Sequence, residues 1–167
     1  LTVTGHATLT LARSTAAATY VVTYDVCVMA DPANCDTALV SVTVDAAPIL
    51  AVDDAAPVSS ITGGTTPTVL GNDTLNSAPF TLATVALTPG TAPAPASGSI
   101  IMNPDGTVTV APGTTAGTYT YPYTICEVLN PLNCSSAGMV ITVTSGNLVA
   151  NDDGATGVNG LVGGPVA

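Results

Sequence analysis

Three clusters of oxygen-bearing side chains stand out in a chain with little charge: Asp53-Asp54, Asn72-Asp73 and Asn151-Asp152-Asp153. Hard cations such as calcium take several oxygens from carboxylates, amides and backbone carbonyls. Adjacent carboxylates with no Lys or Arg nearby repel one another, and a bound cation relieves that repulsion and stiffens the segment. The same dipeptides are turn formers, because Asp and Asn side chains bond to their own backbone. Two readings therefore stand: a calcium site drawing on Asp53, Asp54, Asn72, Asp73, Asn151, Asp152 and Asp153, or a set of turns.

The second chemistry-bearing group is four cysteines in two copies of one spacing, Cys27 with Cys35 and Cys126 with Cys134. Seven residues separate each pair, unlike the closely spaced pairs of zinc sites. An even count and local pairing suit disulfides in an oxidising, extracytoplasmic compartment. Two reduced, buried pairs are the alternative.

Catalytic groups are scarce. His6 is the one histidine and Arg13 the one cation, against eleven acids and a net charge of −10. No nucleophile and base recur together, so the chain reads as non-catalytic. With one cation there is nothing to neutralise phosphates or to attract an anionic membrane, which excludes nucleic acid as a partner. No apolar run approaches the roughly 20 residues of a membrane span, and nothing reads as a secretory signal, so any export signals or anchors lie outside this window.

The elements that position these residues are strands. Thr, Val, Ile and Tyr crowd the segments between Gly, Pro, Asn and Asp clusters. In 118–126, alternation turns Tyr119, Tyr121, Tyr123 and Ile125 to one face and Thr118, Thr120, Thr124 and Cys126 to the other. The Tyr face is expected inward, which leaves the cysteines outside the core as braces across a hairpin. Asn103-Pro-Asp-Gly106 predicts a tight turn between two short strands. Val69-Leu70 and Phe80–Leu87 are expected to supply further strands, and helix is expected to be almost absent.

Cys27-Val-Met-Ala-Asp-Pro-Ala-Asn-Cys35 returns as Cys126-Glu-Val-Leu-Asn-Pro-Leu-Asn-Cys134, an offset of 126 − 27 = 99 residues. The same offset places Tyr20 on Tyr119, Tyr24 on Tyr123, Ala51 on Ala150, and Asp53-Asp54 on Asp152-Asp153. Such a period is the mark of a tandem array. Its phase divides the chain into the C-terminal half of one unit (1–50), a complete unit (51–149) and the start of a third (150–167). About seven short strands per unit without helix predicts an immunoglobulin-like β-sandwich. Asp31, Asn34 and Asp36 of the first loop become Asn130, Asn133 and Ser135, so their charge is not required by the fold.

The ordered series Ala51-Val-Asp-Asp54, Val69-Leu-Gly-Asn-Asp73, Asn103-Pro-Asp-Gly-Thr-Val-Thr-Val110, Gly117-Thr-Tyr-Thr-Tyr121 and Ile141-Thr-Val-Thr144 resembles the tandem immunoglobulin-like or cadherin-like repeats of large bacterial surface proteins. CshA-type fibril repeats are one such variety. The resemblance implies secreted, extended, non-catalytic rods that serve as adhesin stalks or fibres. It implies a place at the bacterial cell surface, and calcium at Asp53, Asp54, Asn72 and Asp73 in some relatives. The first copy departs from the pattern, with Gly5-His-Ala7 where Pro104-Asp-Gly106 stands.

The expected partners are neighbouring repeats or copies of the chain in a fibre, and a host or surface glycan or protein. Half a unit at 1–50 leaves an uncovered apolar face and open sheet edges, which are templates for an added strand. A subunit that polymerises by strand complementation is the alternative to one continuous array. A calcium- or glycan-binding adhesive module is the other.

Overall fold

A computed structural model describes residues 2–4 and 8–152; His6 and Asp153 lie outside them. The chain forms strands only: β1 (Thr2–Thr4), β2 (Thr8–Thr10), β3 (Ala18–Val28), β4 (Asp31–Val44), β5 (Ile49–Leu50), β6 (Asp54–Ser59), β7 (Gly64–Thr65), β8 (Thr74–Leu75), β9 (Val85–Pro89), β10 (Ile100–Met102), β11 (Val108–Val110), β12 (Gly117–Glu127) and β13 (Cys134–Thr144). No helix occurs among the described residues, as composition led one to expect.

Seven strands build the main body. A four-stranded sheet runs in the order β6-β13-β12-β9 and a three-stranded sheet in the order β10-β11-β7. Inward residues of both sheets share one hydrophobic cluster, with Val58, Val85, Ile125, Met139 and Ile141 from the first and Ile100, Met102, Val108 and Val110 from the second. The alternation in β12 and β13 accounts for this: Tyr121, Tyr123, Ile125, Met139, Ile141 and Val143 are all buried, while Thr118, Thr120, Pro122 and Thr142 are exposed. Each fully buried aliphatic side chain contributes about 1.5–3 kcal/mol relative to exposure.

The first and last strands of this body lie side by side and parallel, Asp54 opposite Met139 and Ser59 opposite Thr144. A chain that enters along β6 and leaves along β13 therefore enters and exits at opposite ends of the sheet. β6 contains Pro57, which is tolerated because β6 is an edge strand.

The β3–β4 hairpin repeats the register of β12–β13 at an offset of 99. Tyr20 faces Val42 as Tyr119 faces Ile141, Tyr24 faces Ala38 as Tyr123 faces Ala137, and Cys27 faces Cys35 as Cys126 faces Cys134. Both pairs are disulfides. The inward face of the first hairpin is left open, however: Tyr24 is 43% and Val26 61% exposed, where Tyr123 and Ile125 are 1% and 0%.

Three expectations about strands fail. Val69-Leu70 is a turn, because Thr68 hydrogen-bonds to the Asp105 carbonyl and to the Leu70 amide, and the Val69 amide bonds to Gly106. The 80–87 run begins as a turn, with the Thr84 and Val85 amides both donating to the Thr81 carbonyl, so only β9 is extended. Asp54, which the turn reading would place in a turn, opens strand β6. The Asn103–Gly106 turn forms as expected: the Gly106 amide donates to the Asn103 carbonyl at 3.0 Å, and Gly106 sits at φ +81°.

Candidate functional site

The parallel pairing of β6 with β13 brings the segment that enters β6 close to Tyr123 on β12. There the Tyr123 ring is buried in the core and its hydroxyl reaches an oxygen-rich pocket. The hydroxyl lies 3.0 Å from the Val52 carbonyl, 3.2 Å from the Val69 carbonyl, 3.3 Å from Asp54 Oδ2, and 3.1 and 3.2 Å from the two Asp73 oxygens. One hydroxyl proton serves one acceptor at a time, so five oxygens compete for it.

The remaining capacity of the acids is met by backbone. Asp73 Oδ1 accepts from the Val52 amide at 2.8 Å, and Asp53 Oδ1 from the Gly138 amide at 2.8 Å. The Asn72 side-chain amide donates to the Asp53 carbonyl at 3.3 Å. These bonds tie the entry segment, the 69–73 turn, β12 and β13 into one knot.

Burial is the largest influence on both carboxyls and raises them above the usual carboxylate range. For Asp54 the Asp73 charge adds to the rise and the Tyr123 bond opposes it. For Asp73 the Val52 amide and the Tyr123 bond oppose it. Burial also pushes the Tyr123 phenol up, with the two carboxylates adding to the shift, so the hydroxyl keeps its proton and donates.

Of the seven residues singled out for calcium, four gather here: Asp53, Asp54, Asn72 and Asp73. Asn151 and Asp152 are exposed on the segment after β13 and take no part, and Asp153 lies outside the described residues. Among the described residues no three His, Cys, Asp or Glu side chains form a metal-holding group. The oxygens that a hard cation would use are those of the Asp54 and Asp73 carboxylates and the Val52 and Val69 carbonyls, and the Tyr123 hydroxyl stands among them.

A second constellation lies where the first hairpin meets the main body. The disulfide between Cys126 and Cys134 braces the loop Asn130-Pro-Leu-Asn133. Asn130 Oδ1 accepts from the Ala17 amide at 2.7 Å, and the Asn133 side-chain amide donates to the Ala47 carbonyl at 2.6 Å and to Glu127 Oε2 at 2.9 Å. Leu129, Pro131 and Leu132 face Ala16, Ala17 and Ala46 across a shallow apolar trough. The incoming chain is fastened further along by β5, which pairs with β8, and by the Asn76 amide donating to the Pro48 carbonyl.

Reasoning from sequence missed Tyr123 as the hub of the acids and Asn130 and Asn133 as the joint. The repeat held a signal for the latter, since Asn34 recurs as Asn133. Glu127 is buried and accepts from the Asn133 side-chain amide.

The sequence matches no protein-family model and no curated protein. Among solved structures, the fold is similar to a SusE-like surface-located polysaccharide-binding protein from the Bacteroides thetaiotaomicron heparin utilisation locus, at 16% identity and a TM-score of 0.40. The match covers 59% of this chain and 15% of that one.

Proposed function

We propose that this chain is a structural, non-catalytic segment of a bacterial extracellular filament or adhesin stalk, built from serial immunoglobulin-like β-sandwich units. Residues 1–50 are the back half of one unit, 51–149 a complete unit and 150–167 the opening of the next. The observation that carries this reading is the parallel pairing of β6 with β13, which puts chain entry and exit at opposite ends of the body. Units joined end to end through such a body make a rod rather than a cluster. The recurrence of one hairpin register at the 99-residue offset supports repetition, and two disulfides suit an oxidising compartment outside the cytoplasm.

A denaturing gel of the native surface material tests the arrangement. A continuous array runs as one long chain. Small protomers of this chain's size would instead favour a polymer held by strand complementation, in which a copy covers the open face around Tyr24 and Val26.

Calcium at the entry knot is a second reading, favoured by the five oxygens that share the single Tyr123 proton. A cation held by Asp54, Asp73 and the neighbouring carbonyls would stiffen the start of each unit. Calorimetric titration with calcium, alongside melting with and without chelator, tests it; no heat and no melting shift would refute it.

A further inference from the structure

Resting on the reading of serial units, we propose that the disulfide-braced Asn-Pro-x-Asn loop is the connector between units, and that the exposed end around Ala116 and Gly146 receives the corresponding Asp31-Pro-Ala-Asn34 loop from a second copy of the chain. The joint between the 130–133 loop and the Ala17 and Ala47 backbone shows what the connector needs. The loop supplies side-chain chemistry, one Asn oxygen accepting and one Asn amide donating. For hydrogen bonding the other side supplies main-chain groups, the Ala17 amide and the Ala47 carbonyl. Main-chain partners tolerate changes of the side chains that carry them and survive the divergence of the two copies.

The 99-residue offset carries Ala16 and Ala17 to Thr115 and Ala116, Ala46 and Ala47 to Ser145 and Gly146, and Ile49 to Leu148. At the occupied joint Ala16, Ala17, Ala46, Ala47 and Ile49 are all partly covered, whereas Thr115, Ala116, Ser145 and Gly146 are exposed and Leu148 is 94% exposed. Ile61, 65% exposed, packs beside Gly146 and adds apolar surface to this end. The complementary half is also uncovered: Asp31, Pro32 and Asn34, the counterparts of Asn130, Pro131 and Asn133, are exposed on their own braced loop. Asp31 offers a carboxylate oxygen where Asn130 offers an amide oxygen, and both accept an N–H. Asn34 keeps the donor. Val28 stands where Glu127 orients Asn133, so the free loop is the weaker of the two connectors.

Each copy thus presents a donor loop at one end and an acceptor end at the other. A contact between unlike patches propagates head to tail instead of closing on itself.

Two measurements on the whole chain test this. In the first, Asn130→Ala is compared with the parent by amide hydrogen exchange; the Ala17 amide should exchange at least about tenfold faster while β12 and β13 amides are unchanged, since one local bond is lost. An unchanged Ala17 rate would overturn the connector role. In the second, isotope-labelled chain is titrated with unlabelled chain into the millimolar range while Ala116 and Leu148 amides are followed. Progressive shifts are expected, and they should vanish when the unlabelled chain carries Asn34→Ala. No shift, or equal shifts with Asn34→Ala, would overturn the acceptor. The first arm reads a joint inside one molecule, so it stands or falls independently of whether the native assembly is a filament.

Discussion

The Tyr123 hydroxyl sits 3.1 and 3.2 Å from the two carboxylate oxygens of Asp73, at the end of a ring that is almost wholly buried. Two carboxylates and two carbonyls depend on that proton. Tyr123→Phe should therefore destabilise the unit by about 1–3 kcal/mol at neutral pH, the range for leaving buried polar groups unpaired. Tyr24, its counterpart one repeat earlier, bonds to none of these oxygens and is half exposed, so Tyr24→Phe should stay within about 0.5 kcal/mol. Urea denaturation of both variants checks the contrast.

The two raised carboxyls set a pH dependence of unusual sign. Asp54 and Asp73 have higher affinity for protons in the folded state than in the unfolded chain, so folding takes up protons. The strain of holding them ionised is fully present above their raised folded values and is relieved as pH falls toward the ordinary carboxylate range. Asp105, whose carboxyl is held low by the Thr107 hydroxyl and amide, acts in the opposite sense, and its full exposure weakens it. Thermal melting should thus rise between neutral and mildly acidic pH. In Asp54→Asn the rise should shrink, and a wild-type slope in that variant would contradict the assignment.

Removal of Cys126 and Cys134 together should lower the stability of the main body by about 2.5 kcal/mol, the chain-entropy value for so short a loop. It should also free the Ala17 amide, since the disulfide holds the loop that caps it. The same double change at Cys27 and Cys35 should leave the melting of the main body unaltered, because that bridge closes a hairpin outside the core cluster. Calorimetry of the two variants separates the cases.

Ile125 and Val26 occupy the same place in the repeat with opposite burial. Ile125→Ala should cost about 2–5 kcal/mol, as a deletion from a packed core does. Val26→Ala, on the open face of β3, should change stability by about 0.5 kcal/mol or less. Equal costs would mean that the first hairpin is covered in solution.

What could be read from sequence was local. The Cys27–Cys35 and Cys126–Cys134 hairpins, the Asn103–Gly106 turn and the inward face of β12 follow from spacings of a few residues, where alternation and turn chemistry decide the outcome. The entry knot does not: Tyr123 lies 50 residues from Asp73 and 69 from Asp54, and they meet only because β6 runs parallel beside β13. Nothing in the pattern of Asp54–Ser59 announces a strand, since Pro57 interrupts it and only an edge position makes it tolerable. Val69-Leu70 misled in the other direction. Its apolar pair suits a strand, yet Thr68 turns the backbone and Val69 fills the core from a loop.

In the proposed rod the units are set end to end. Electron cryomicroscopy of the native surface assembly should resolve β6 and β13 running along a filament axis, with a rise of about 4 nm per unit. That rise is the length of an 11-residue strand at about 3.3 Å per residue plus a short linker. A compact particle, or units whose β6 and β13 run across the axis with no regular rise, would contradict it.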